Sequence, residues 1–246
     1  MRIPSANELL TLWEAGLSLV PARRALLLAQ ATQTEGENAA RWSAGRRDMR
    51  LFQLRENLFG MEMPCLGECP KCRERVEFSL STDLMRSGSA AVPPASAPSH
   101  VLSAAGYRVE FTLPTSEDIA ELPAQDSATT RRLKLLSRCV QSAAFGGAPL
   151  QPEDLPEEVV TALSARMAEL DPQGERSLSL SCPACRHEWA APFDIASYLW
   201  SELATWAARL LREIHLLAKA YGWREADILS LSPMRRHFYL QMATTA

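Results

Sequence analysis

The chain has 246 residues, 47% apolar and 22% charged, and its 26 basic and 29 acidic side chains leave a net charge of −3. That is the make-up of a globular protein with one or two domains and a real core, and it excludes a collagen, a wholly disordered chain and a small disulfide knot. No apolar run approaches the roughly 18 residues of a membrane span, Glu8 and Glu14 interrupt any signal-peptide pattern, and the near-neutral charge does not point to nucleic acid or an anionic membrane.

The first 60 residues read as helices. Leu9, Leu10, Trp13 and Leu17 recur at helical spacing after Ser5 or Asn7, a second apolar run follows Pro21, and a third helix carries Met49 to Phe59 and stops at Gly60. The period then shortens towards two: Val76, Phe78 and Leu80 alternate with polar residues, as in a half-buried strand. Residues 86–100, small and rich in Pro and Ser, read as a flexible linker. Tyr107, Val109, Phe111 and Leu113 form a second strand, and a short helix begins after Pro114. Residues 126–145 and 156–170 read as helices; Leu178–Leu180 and Trp189–Phe193 read as strands. Leu199, Leu203, Trp206, Leu210, Ile214, Leu217 and Tyr221 form one apolar stripe on a helix about 40 Å long, from roughly 27 residues at 1.5 Å each. Gly222 stops it, a shorter helix follows, and Ser232-Pro233 opens the last one.

Six cysteines are present, four of them in two CPxC pairs, each followed by Arg and a strand-like stretch. Two residues between cysteines let one tight turn present both sulfurs to one ion, so Cys69 with Cys72 and Cys182 with Cys185 each supply half of a tetrahedral thiolate site for a structural Zn2+. The 109 residues between the pairs are many more than a compact ribbon uses. Closing such a loop costs roughly 4.7 kcal/mol, which the roughly 10–16 kcal/mol of structural zinc binding offsets. Cys65 and His187 stay open as substitute ligands. Cys139, on the apolar face LKLLSRCV, reads as a core thiol. A closed tetrathiolate has no open position and is structural.

No phosphate loop, nucleophile elbow or HExxH is present, and the four histidines show no metal spacing. The expectation is a protein that is not an enzyme and has no small-molecule substrate. The basic clusters are weak platforms for nucleic acid. Arg46, Arg47 and Arg50 share a helix face, but Glu74, Glu77 and Glu188 dilute Arg73, Arg75 and Arg186 in the ribbon. Neither a nucleic-acid nor a membrane partner is expected.

The C-terminal third carries a likeness. LLREIHLLAKAYGW, the ILSLSP turn and the RRHFYL finish resemble the baseplate proteins of contractile-tailed phages and contractile injection systems, a family that includes hub-assembly chaperones. The CPxC-strand-FDI lead-in resembles the variant with a zinc ribbon. The likeness is carried by residues 45–85 and 175–246; the first 40 residues and 100–170 match only loosely. It implies an assembly factor or structural part of such a baseplate, with hub or wedge proteins as partners, cytoplasmic during assembly or retained in the particle. Trp200, Trp223, Arg235, Arg236 and Tyr239 are the interface candidates, since Trp, Tyr and Arg dominate hot spots. The alternative is a zinc-ribbon adaptor for nucleic acid or a transcription complex.

The expected fold is mainly α with a small antiparallel β zinc-ribbon element (α+β), and a long C-terminal helix followed by short ones. Its segments are an N-terminal helical region 1–60, ribbon halves 61–85 and 176–194, the linker 86–100, an inserted strand-plus-helical segment 101–175, and the helical region 195–246.

Overall fold

The computed structural model describes residues 1–86, 98–174 and 176–245; most of the linker expected at 86–100 lies outside the described residues. The chain divides into two compact units, Met1–Ile3 with Val20–Ala196, and Pro4–Leu19 with Ser197–Ala246. The fold is α+β, with helices predominating over three small antiparallel sheets among the described residues. Among the described residues no helix is long and apolar enough to cross a membrane.

The smaller unit is helical. Helix α1 (Ala6–Gly16) starts at a capping box: the Glu8 amide donates to Ser5 Oγ at 3.4 Å, and the Ser5 amide donates to the Glu8 carboxylate at 2.8 Å. The apolar stripe expected near the C-terminus builds a later helix, Ile195–Tyr221. Its Leu210, Ile214 and Leu217 join Leu10 and Ile228 in one core. Gly222, with φ of 69°, ends that helix in the left-handed conformation that glycine adopts at no steric cost. Gly16 matters for a different reason, since a Cβ there would run into the ring of Trp200, a buried side chain with little freedom to move. Gly16→Ala is therefore expected to destabilise the unit by about 1–3 kcal/mol, read as a lower denaturation midpoint. An unchanged midpoint would show that the ring can slide.

The larger unit begins with α2 (Pro21–Thr32) and α3 (Ala44–Phe59). Hairpin β1 (Glu62–Glu68)/β2 (Arg75–Ser81) and α4 (Thr82–Arg86) follow. Next come β3 (His100–Ala104), β4 (Tyr107–Phe111), α5 (Ser116–Ala120), α6 (Ala128–Cys139), β5 (Val140–Phe145), β6 (Ala148–Leu150) and α7 (Glu157–Leu170). Hairpin β7 (Ser177–Ser181)/β8 (Glu188–Pro192) closes the unit, before α8 (Ile195–Tyr221), α9 (Glu225–Ser230) and α10 (Pro233–Thr245). Strands β3 to β6 form one four-stranded sheet in chain order. Val109, Phe111, Val140 and Ala143 pack with Val159, Val160 and Leu163 as the core of the inserted segment.

Two expectations differ from what forms. The helix expected over 126–145 ends at Cys139, and Val140–Phe145 is strand. Gly146 and Gly147, both with positive φ, let β5 turn straight into β6, and pairing with β4 stabilises the strand. Strand β3 was also not expected. It joins β4 through Ala105 and Gly106, with φ of 51° and 80°, the pair of left-handed residues that a tight hairpin demands.

The expected basic face of α3 turns inward. Trp42, 1% exposed, lies under the guanidinium groups of Arg46 and Arg50, at 5.2 and 5.4 Å from the ring centroid. Both arginines bind Glu37, at 2.9 and 2.7 Å. Burial opposes ionisation of Glu37, but the Thr34 hydroxyl and amide, with Arg50 and Arg46, outweigh it and hold the carboxyl at about 2 against an ordinary 4.5. A carboxyl whose folded value is depressed stabilises the fold above its unfolded value. This stabilisation is lost as pH falls from about 4.5 towards 2. Glu37→Gln is thus expected to be less stable than the parent at pH 7 and to approach it near pH 2.5. Urea titrations at both pH values check this, and an equal gap at both would refute it.

Candidate metal centre

The two hairpins are built alike at their tips. Glu68 pairs with Arg75 at the end of β1/β2, and Ser181 pairs with Glu188 at the end of β7/β8, leaving 69–74 and 182–187 as the turns. In the first, the Cys69 amide donates to the Glu74 carbonyl and the Arg73 amide donates to the Cys69 carbonyl, at 3.0 and 2.9 Å. In the second, Cys182 with His187 and Arg186 with Cys182 repeat both bonds at 2.9 Å. Arg73 and Arg186 both take positive φ, 61° and 57°. This strain for a non-glycine residue bends each turn so that both of its thiols face the same way. The repeated CPxC-Arg is therefore a repeated turn.

The turns meet. The four Sγ atoms of Cys69, Cys72, Cys182 and Cys185 all lie within 4.8 Å of one another. The hooks interlock crosswise, with Cys69 at 3.7 Å from Cys185 and Cys72 at 3.5 Å from Cys182. A tetrahedral ion with metal–sulfur bonds of about 2.3 Å needs sulfurs about 3.8 Å apart. A disulfide needs about 2.05 Å, and all four cysteines are free. The donor set therefore fits a metal ion. Cys69 and Cys182 are buried, Cys185 is half-buried and Cys72 is exposed. Cys65, half-buried with its thiol 3.5 Å from the Met63 carbonyl, stands outside the group. His187 also stands outside it, stacked near Trp189.

The two thiols of the first hook respond oppositely to their surroundings. Burial raises the Cys69 thiol, but the amides of Cys72 and Lys71 and the thiols of Cys185 and Cys72 bring it down to about 7. At Cys72 the Glu74 amide favours the thiolate, yet Cys185, burial, Cys182 and Cys69 push the thiol up to about 12. The Cys69 thiolate forms easily and the Cys72 thiol resists; a divalent cation would remove that conflict. Cys139 is buried in the core of the insertion, where burial first and Asp118 second push its thiol up to about 12.

A family model described as T4 bacteriophage base plate protein matches residues 25–200. The chain belongs to this family. As a member of the base plate family, it carries both cysteine hooks and the whole inserted sheet inside the matched region. Residues 201–246, which hold the LLREIHLLAKAYGW, ILSLSP and RRHFYL motifs, lie beyond it. No curated protein and no solved structure matches the chain.

The aromatic and arginine candidates of the C-terminal region are placed as follows. Trp200 is buried, and Trp223 and Tyr239 are half-buried against the helical core, 4.9 Å apart edge to face. Arg236 is buried and binds Glu213 at 3.1 Å. Arg235 is exposed. The outward face of α10 instead presents Met234, Phe238 and Met242, at 72, 58 and 53% exposure. Their four-residue spacing marks them as one stripe, a signal present in the sequence that residue type alone did not select.

Proposed function

We propose that this base plate protein is a non-enzymatic assembly factor or structural component of a contractile tail or injection-system baseplate, engaging hub or wedge proteins, with zinc as a purely structural ion. The family match over residues 25–200 carries the reading. Three features support it. A four-thiolate site leaves no coordination position for water or substrate. The ion would tie residues 69–72 to 182–185, so the inserted sheet would be held at both ends. The outward stripe of α10 is an apolar surface of the type that marks protein contacts. The nucleic-acid alternative loses support, because Arg46 and Arg47 are buried and the Arg46 and Arg50 guanidinium groups are spent on Glu37 and Trp42.

The test is deletion of the gene in its phage or injection-system operon, with particles examined by electron microscopy and mass spectrometry. Missing or baseplate-less particles, rescued by the wild-type gene, are the expected result. Normal, functional particles would overturn the reading.

A further inference from the structure

A cavity of about 460 Å³ opens in the larger unit, within the size range of ligand sites. The start of α2, the end of α5, α3 and the foot of the β7/β8 hairpin enclose it. Its apolar wall includes Val20, Ala22, Ile119, Leu122 and Phe193; its charged wall is Arg47, Arg131, Arg176, Asp48 and Asp194.

The charges in that wall do not balance. Asp48 accepts from Arg47 at 2.7 Å, and burial, opposed by Arg47, pushes its carboxyl up to about 6. Asp194 is the start of α8, accepting from the Ala196 amide at 2.9 Å. Both acids are therefore engaged. Arg131 and Arg176 are not: among the described residues neither guanidinium meets a carboxylate within bonding distance. Arg176 Nε and Nη2 are shielded from solvent with no hydrogen-bond partner, while the group lies over the Phe52 ring at 5.7 Å. Helix α2 also begins at the cavity, with Val20 in the capping position and no side-chain cap. Its N-terminal amides and dipole favour negative charge. Buried donors without acceptors are costly, and a bound anion would relieve that cost.

We propose that this cavity binds the C-terminal carboxylate of another polypeptide, with its last, apolar side chain against Ile119, Leu122 and Phe193. The planar guanidinium fork matches a carboxylate. A phosphate dianion would be repelled more strongly by Asp48 and Asp194, and the apolar wall would go unused. At a chain end the carboxylate and an apolar side chain share one carbon atom, which suits a cavity where cationic and apolar walls meet. That the occupant is a protein rests on the baseplate reading, since neighbours in a baseplate are proteins.

The experiment is fluorescence polarisation on the full, metal-loaded chain. The probe is an N-terminally fluorescein-labelled Gly-Ser-Gly-Ser-Ala-Leu peptide with a free C-terminus. It is compared with the same peptide amidated, with a variant bearing an internal glutamate and an amidated end, and with inorganic phosphate as competitor. The free-acid peptide is expected to bind, with affinity falling about ten-fold or more on amidation or in Arg176→Met, and less in Arg131→Ser. Phosphate is not expected to displace it. Arg176→Met keeps an apolar stem against Phe52, and Arg131→Ser changes an exposed residue, so melting curves should stay near wild type. No binding, equal binding of acid and amide, equal binding of the internal-glutamate peptide, or displacement by phosphate would each overturn the proposal. Those results would leave the particle-assembly outcome untouched, so the two readings fail separately.

Discussion

Cys182→Ser should empty the metal centre and destabilise the larger unit by several kcal/mol, lowering the melting temperature by about 10 °C or more. The wild-type chain should carry about one zinc per molecule and lose a similar amount of stability on chelation. Cys182 is 1% exposed, and its sulfur sits 3.5 Å from Cys72. A serine hydroxyl does not supply a thiolate, so the remaining three ligands would hold the ion poorly. A bound ion would also offset the closure of a long loop, roughly 4.7 kcal/mol in chain entropy. Plasma emission analysis and thermal melts read both effects. Cys139→Ser is the control, because that thiol is buried in the insertion and outside the sulfur group; it should keep the metal. A wild-type protein without bound metal, melting at the same temperature as Cys182→Ser, would remove the metal centre from the account.

Trp42→Ala should cost about 3–5 kcal/mol, the range for deleting a buried aromatic side chain. More than a cavity is involved. The ring holds the guanidinium groups of Arg46 and Arg50 over its face, and those groups hold the ionised Glu37. The Trp42 carbonyl accepts from both the amide and the hydroxyl of Ser116, at 2.7 and 2.9 Å, which ties the start of α5 to the approach of α3. With the ring gone, buried Arg46 and half-buried Arg50 lose their apolar cover and water reaches the ion pairs. Urea unfolding followed by far-ultraviolet circular dichroism gives the difference directly, and a loss below about 1 kcal/mol, the scale of an ordinary surface change, would contradict this reading. Trp42→Phe should recover part of the stability, because an aromatic face remains for the arginines.

The candidate metal site was legible residue by residue. Each CPxC-Arg turn is closed by bonds between neighbours in sequence, Cys69 with Glu74 and Cys182 with His187, so a short stretch carries the whole instruction. The ribbon was only half visible. Strand β2 alternates clearly, whereas β1 contains Pro64 and Gly67, which weaken a strand signal. Among the described residues β1 pairs with β2 alone and so is an edge strand, where proline is tolerated. Of the inserted sheet, β4 alternates as a strand, whereas β5 lies within 126–145, whose apolar residues also fit helical spacing. The Ala-Gly and Gly-Gly turns were the signals that would have separated the two. The basic face of α3 was legible as a face, but its direction was not.

Local periodicity, turn chemistry and cysteine spacing decide which segments become helices and hooks, because those preferences act between residues a few positions apart. That is why the 27-residue α8, the capping box of α1 and both thiol turns follow from short stretches of chain. The crosswise meeting of Cys69 with Cys185 and Cys72 with Cys182, the inward turn of Arg46 and Arg47, and the cavity around Arg176 were settled only by packing. Each depends on groups far apart in the chain, and whether an arginine is solvated or buried depends on what the folded chain brings next to it.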